Sequence, residues 1–329
     1  MRITNNMIIA NMVKHISNNV TRENKYQTQL STGQKISVPS DDPVVAARAL
    51  KLRTDVAKVE QYQKNISDAQ SWLDATDETL SKINDVLQTV KEKTVQAANG
   101  TNTPEETQAI AKEIRQLKAQ AVHLANSTYS GRYIFSGFKT DQKLMNDDET
   151  SPDFGKFSIN VDQVAVPPAT ATRENILYEV GIGDNININI TGGDLFNSRN
   201  TSGAIGGNAN AGVATLGDTS SMVQMFDNII AGMQTGDSVE IGRQLDSIDA
   251  EIQNVLRARA DIGARQNRMD LTEDRMSRDV VNFTAAMSEN EDVDIAETIM
   301  NLKNEENVYQ ASLAGGARVI QQTLVDFLR

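Results

Sequence analysis

The stretch YQKNISDAQSWLDATDETLSKINDVLQTV, residues 62–90, places an apolar or small side chain at Tyr62, Ile66, Ala69, Leu73, Thr76, Leu80, Ile83, Leu87 and Val90. These positions alternate steps of four and three, the spacing of a coiled-coil seam. The run ends at Asn99-Gly100-Thr101-Asn102-Thr103-Pro104, and the spacing resumes at Ile110, Ile114, Leu117, Ala121 and Leu124. Thr103 reads as an N-cap, with Pro104 at the first helical position and Glu106 completing a capping box. The two helices are expected to pack antiparallel. A third run steps through Leu245, Ile248, Ile252, Val255, Arg259, Ile262, Gln266, Met269, Glu273, Met276, Val280 and Phe283. Its polar members, Arg259, Gln266 and Glu273, either fix register by penalising misaligned pairings or face water where the bundle ends. The seam expected from these runs comprises Ile66, Leu73, Leu80, Ile83, Leu87, Ile114, Leu117, Leu245, Ile248, Ile252, Ile262 and Met269.

Proline placement supports long helices, because an interior proline costs about 3 kcal/mol. Only six prolines occur, and none follows Pro168. Aromatic residues make up 5% of the chain and hydrophobic residues 39%, which suits long half-exposed helices better than a thick globular core. The net charge of −12 opposes binding to a phosphate backbone, so nucleic acid is not an expected partner. No apolar run reaches the ~18 residues that span a bilayer, so membrane insertion is not expected. The first residues, Met1 to Asn6, do not read as a secretory signal peptide. Absence of cysteine removes disulfides, Cys-ligated zinc and thiol nucleophiles together, and is compatible with export.

Residues 132–216 follow another pattern. Phe157, Ile159 and Val161 alternate with Ser158 and Asn160, and Ile186, Ile188 and Ile190 alternate with Asn187 and Asn189. Both read as half-buried strands, with turns at Gly181, Gly183, Gly192 and Gly193. Residues 203–212 read as a flexible return linker.

The two ends carry apolar stripes. Ile9, Val13, Ile16 and Val20 line one helical face with Ile8 and Met12 beside it, a face wider than one partner helix requires. Ile299, Leu302, Glu306, Tyr309, Leu313, Ala317, Ile320, Leu324 and Phe327 repeat the three-and-four spacing. Uncovered faces of this length promote aggregation, so the end helices are expected to pair with each other and with neighbouring copies. The expected fold is mainly α: an elongated helical bundle and coiled coil, with paired terminal helices and an inserted small β-rich domain. Its parts are an assembly helix over 1–36, coiled-coil core over 37–137, a β-rich insert over 138–215, coiled-coil core over 216–292 and an assembly helix over 293–329.

Gln29-Leu30-Ser31-Thr32-Gly33-Gln34-Lys35-Ile36 followed by Pro39-Ser40-Asp41-Asp42-Pro43 resembles the N-terminal region of the flagellar hook-associated type 3 proteins, flagellin-like subunits of the hook–filament junction. Gly131-Arg132-Tyr133-Ile134-Phe135-Ser136-Gly137 is similar to the family motif after the second core helix. Ala296-Glu297 with Leu302 to Ala311 resembles its C-terminal helix. The resemblance implies a ring of copies between the hook-associated type 1 protein and the flagellin filament. It also implies an extracellular flagellar location, export through the flagellar channel without a cleaved signal peptide, and an export chaperone over the C-terminal helix. A divergent flagellin is the nearest rival, although flagellins carry a different turn where this chain has Val38 to Pro43. A secreted adhesin-like stalk is a rival of another class.

No catalytic, cofactor-binding or metal-binding residue is expected. His15 and His123 read as surface histidines on amphipathic helices, and Asp41 and Asp42 as helix caps in preference to cation ligands. Asp147, Asp148 and Glu149 read as a solvated loop, not the lining of an enzymatic cleft. Gly181-Ile182-Gly183 falls short of a nucleotide-binding fingerprint, and neither a phosphate-binding loop nor a nucleophile elbow occurs. Trp72, beside Leu73, either flanks the coiled coil or docks a partner.

Overall fold

The computed structural model describes residues 5–99, 102–161, 174–197, 215–236 and 238–326. These form two units: residues 1–60 with 277–329, and residues 61–276. Seven helices and four short strands occur among the described residues. They are α1 (Asn5–Thr32), α2 (Pro43–Ala98), α3 (Pro104–Ala125), β1 (Thr128–Tyr129), β2 (Arg132–Tyr133), β3 (Leu177–Gly181), β4 (Asp184–Asn187), α4 (Gly192–Phe196), α5 (Ser221–Thr235), α6 (Ser238–Glu291) and α7 (Ile295–Asp326).

In the unit spanning 61–276, the seam read from the sequence lies in the core. Ile66, Ala69, Leu73, Thr76, Leu80, Ile83, Leu87 and Val90 of α2 are fully buried, as are Ile114, Ile248, Ile262 and Met269. Leu117, Leu245 and Ile252 are half-buried. Each fully buried aliphatic side chain contributes about 1.5–3 kcal/mol relative to exposure. α2 and α6 run antiparallel, tied by Lys91 to Asp249 at 2.6 Å and by Gln70 to Asp270 at 2.9 Å. α3 turns back along α2, with Lys93 2.8 Å from Glu113.

The turn before α3 is built as its residues require. Thr103 Oγ1 accepts from the Glu106 amide, and the Glu106 carboxylate accepts from the Thr103 amide at 2.8 Å. α5 is a separate helix that the heptad reading did not isolate. Ser220 caps its start and Gly236, at φ +71°, ends it in the left-handed conformation. Met222, Val223, Met225, Phe226, Ile229 and Met233 are buried on it, and Lys118 of α3 reaches Asp227 at 2.6 Å.

The strands among the described residues are short. Ser130 and Gly131 both take positive φ, which closes the β1–β2 hairpin with a primed turn. The motif continues into the core, where Phe135 meets Phe196 edge-on at 5.6 Å and Ser136 donates to the Gln142 carbonyl at 2.8 Å. β3 and β4 pair antiparallel around Ile182-Gly183. Arg265 of α6 donates to the Asn187 and Asn189 carbonyls, and Asn65 of α2 to the Glu179 carbonyl at 2.8 Å.

Two expectations need correction. Residues 157–161 keep the alternation, with Phe157, Ile159 and Val161 buried, but only isolated bridges form: Met145 to Phe157 and Lys156 to Thr219. Burial alternates because the segment lies on the core, and among the described residues its backbone partners, 144–146 and 217–219, are too short and irregular to build a ladder. Gly192 and Gly193 open α4 in place of a turn, and a Cβ at Gly192 would fall 2.4 Å from Leu144 Cδ2. Residues 203–212, read as a linker, lie outside the described residues.

In the other unit, α1 and α7 pack antiparallel. Gly33, at φ +73°, ends α1, and the chain bridges across: Lys35 N donates to Glu291 O at 2.7 Å, Val293 N to Gly33 O at 2.9 Å. Asp42 Oδ1 accepts from the Val44 and Val45 amides at the start of α2, and Asp294 Oδ1 does the same for Ala296 and Glu297 at α7. Thr103→Ala removes half of the capping box and is expected to cost about 1 kcal/mol. Chemical denaturation checks it, with an unchanged denaturant slope.

Candidate assembly interface

A two-helix pair covers one stripe of each partner, and α1 and α7 present more than one. Their contact includes polar and small residues. Asn19 Nδ2 donates to Ser312 Oγ at 3.2 Å, Arg22 Nε lies 2.9 Å from Glu305, and Gly316 receives the Met12 thioether where a Cβ would collide. None of these ties is visible in an apolar periodicity, although the Gly315-Gly316 pair hinted at a close approach. Among the described side chains, Asn19 is the buried one of α1, and Thr298 and Gly316 are the buried ones of α7.

The predicted assembly residues divide accordingly. Ile9, Met12 and Ile16 of α1 and Leu302 and Tyr309 of α7 are half-buried. Val13 is 60% exposed and Val20 36%, and on α7 Ile299 and Leu313 are each 46% exposed, with Ala317 also exposed. Ile295, Met300 and Val308 add uncovered apolar surface that the seam reading did not single out. The side chains of Ile8, Ile320 and Leu324, and Phe327 altogether, lie outside the described residues. The exposed α1 residues Met7, Ala10, Lys14 and Ser17 fall on one face, and Val13 and Val20 form its border with the half-buried stripe of Ile9, Met12 and Ile16.

Near the base of the pair, the loop after α1 and the first turns of α2 enclose a largely apolar groove of about 460 Å³, lined by Ile36, Val38, Pro43, Ala47 and Leu50. Arg53 and Glu291 supply its polar end. Arg53 Nε donates to Glu291 Oε2 at 3.1 Å and Nη2 to the same oxygen, which raises the guanidinium pKa above its usual value. Glu291 is 5% exposed, and its other oxygen, Oε1, is enclosed and has no hydrogen-bond partner among the described residues.

In the 61–276 unit, the three polar seam positions each meet α2. Arg259 grips Asp77 with two hydrogen bonds, 2.9 and 3.1 Å, which hold its pKa above the ordinary arginine value. Gln266 donates to Asp74 at 2.7 Å, and Gln70 donates to Glu273 at 3.0 Å. They are paired across the seam, which favours the register reading over simple solvation. A shift of one heptad would separate all three pairs together.

The weaker signals find structural employment. His15 and His123 are exposed, and Asp147 is bound by Lys143 at 2.7 Å, whose hydrogen bond lowers the carboxylate pKa. Asp148 accepts from Thr150 within its own loop. Trp72 is buried and meets Tyr129 edge-on at 5.9 Å, so it flanks the helix pair.

The model of the bacterial flagellin N-terminal helical region matches residues 3–140, and that of the bacterial flagellin C-terminal helical region matches residues 245–328. The chain is 28% identical over 325 residues to flagellar hook-associated protein 3 of Escherichia coli K12, covering 95% of each. It is 27% identical over 330 residues to a flagellin of Bacillus subtilis, covering 98% of this chain and 97% of that one. The solved structure of a putative flagellar hook-associated protein from Vibrio parahaemolyticus superposes with a TM-score of 0.60 at 21% identity, over 77% of this chain and 100% of that one. That likeness shows the same fold.

A double-mutant cycle on Arg259 and Asp77 is expected to give a coupling of about 1 kcal/mol, shrinking as salt rises. Denaturation of the four proteins at low and high ionic strength measures it.

Proposed function

We propose that this chain, which belongs to the flagellin family and within it to the flagellar hook-associated type 3 proteins, works as a structural subunit of the bacterial flagellum at the junction between hook and filament. One observation carries the physical side of this reading. α1 and α7 pair with each other yet leave Val13, Val20, Ile299 and Leu313 in water, while the other unit buries its own seam. A further subunit would give that surface cover.

In this reading the chain turns over no substrate. Copies of α1 and α7 bury their outer stripes against one another in a ring, and the coiled-coil helices carry load between a flexible hook and a stiffer filament. The ring contacts the hook-associated type 1 protein on one side and flagellin on the other. We further propose that the assembly helices are residues 1–36 and 293–329, that the core comprises 37–137 and 216–292, and that 138–215 form the outer insert. Export without a cleaved signal peptide, with a chaperone over the apolar stripe of α7 beforehand, completes the scheme. Similarity to flagellin keeps a filament subunit as the alternative. The turn Val38-Pro39-Ser40-Asp41-Asp42-Pro43 and the Gly131–Gly137 motif favour the junction protein.

Leu313→Asp places a carboxylate on the exposed stripe, where the monomer tolerates it within about 0.5 kcal/mol, whereas burial between subunits without a partner costs several kcal/mol. Cells carrying it are expected to lose attached filaments and to release flagellin into the medium. Ile320→Asp and Leu324→Asp, on the same sequence stripe, should do the same. Electron microscopy and an assay of secreted flagellin read the result, and normally attached filaments would refute the scheme.

A further inference from the structure

We infer that the groove between the 34–43 loop and α2 is the receptor for the outer face of α1 from a second copy, with Val13 seated among the groove's aliphatic residues and Lys14 Nζ donating to Glu291 Oε1. The inference rests on the junction-subunit reading and names the contact through which copies meet.

Glu291 defines the occupant's chemistry. Glu291 Oε1 is enclosed and without a partner among the described residues, and a carboxylate that turns this oxygen toward a donor in the groove regains the hydrogen-bond energy it lacks. The required occupant is therefore apolar with one cation or N–H group. Residues 5–22 of α1 contain Lys14, His15 and Arg22 and no acid, and Arg22 is engaged by Glu305. Lys14 is exposed on the same face as Met7, Ala10 and Ser17, with Val13 at its border. The competing helix α7 carries Glu297, Glu305 and Glu306 along its first half, where the one cation, Lys303, is held by Glu306 at 2.7 Å; Arg318 lies further along. That first half would bring like charge to Glu291.

The groove cannot be filled from within one copy. Lys14 stands 18 residues before Thr32, where α1 ends beside the groove, about 27 Å along the helix axis at 1.5 Å per residue. Groove and stripe are also different surfaces, so the contact is head-to-tail. Repetition of such a contact generates a ring or a helix of copies, whereas a self-complementary patch stops at a pair.

The natural absence of cysteine permits a clean test. Two variants of the full chain, Val13→Cys and Ala47→Cys, are expressed together, and flagella sheared from the cells are treated with a short bis-maleimide. The expected product is a mixed dimer at twice 36.0 kDa, absent when either variant is expressed alone. Adding Lys14→Glu to the Val13→Cys chain should abolish it, with α1 helicity by circular dichroism unchanged. Ala10→Cys with Leu50→Cys forms a second pair, used if the first prevents assembly. Assembled subunits that yield no mixed dimer with either pair overturn the groove assignment and leave the junction reading standing. Absence of the wild-type chain from sheared flagella overturns both.

Discussion

Cover for apolar surface is the constraint on which this molecule depends. A helix gains little by forming alone, and its stability comes from burying one face. α2 meets that requirement inside its own chain, since the stripe from Ile66 to Val90 is fully enclosed. α1 and α7 do not. Among the described side chains their contact joins Asn19 to Ser312, Arg22 to Glu305 and Met12 to Gly316, and the aliphatic residues of both helices stand half or wholly in water. One sequence thus holds two regimes: helices that enclose their apolar stripe within the chain, and helices that leave much of it exposed.

Polar groups are placed differently in the two regimes. In the coiled-coil seam Arg259, Gln266 and Glu273 are matched residue for residue by Asp77, Asp74 and Gln70. Such pairs add little stability, because each lies partly exposed and competes with water. Their effect is on register: a slipped pairing keeps the aliphatic contacts and forfeits all three polar ones. In the groove beside α2 the polar group is left unmatched. Arg53 satisfies one oxygen of Glu291 and leaves the other bare. A matched set specifies an interior, and an unmatched buried acceptor is a vacancy in the hydrogen-bond inventory.

How much was legible in the sequence follows from the range of each interaction. The seam was readable because period and burial are the same fact for a helix, and Thr103, Pro104 and Glu106 were readable because a cap is complete within four residues. The segment 157–161 was half legible. Its alternation reported burial correctly, but a ladder needs a neighbour that no local pattern specifies. α5 was missed although Met222, Phe226, Ile229 and Met233 keep the three-and-four spacing, because at 15 residues it is too short to stand out beside the long heptad runs; Ser220 and Gly236 marked its ends. The apolar stripes at Val13 and Leu313 were legible as stripes. The groove at Ile36, Leu50 and Glu291 was not, because it joins residues about 240 positions apart that meet through the Lys35–Glu291 backbone bond.

Deferred burial also determines how such a chain responds to its surroundings. A partner that binds only the folded form stabilises it by RT ln(1 + [L]/Kd), so helices that are marginal in a lone copy become firm where copies are concentrated. In the proposed assembly, the deficit on α1 and α7 makes neighbouring copies a main source of their stability. The stripe of α2 from Ile66 to Val90 is already enclosed within the chain. A substitution in the seam should then be felt at every stage of the protein's life, and one on the outer stripes chiefly at the stage when neighbours arrive. The separation arises from where aliphatic side chains fall on each helix, with no special chemistry required.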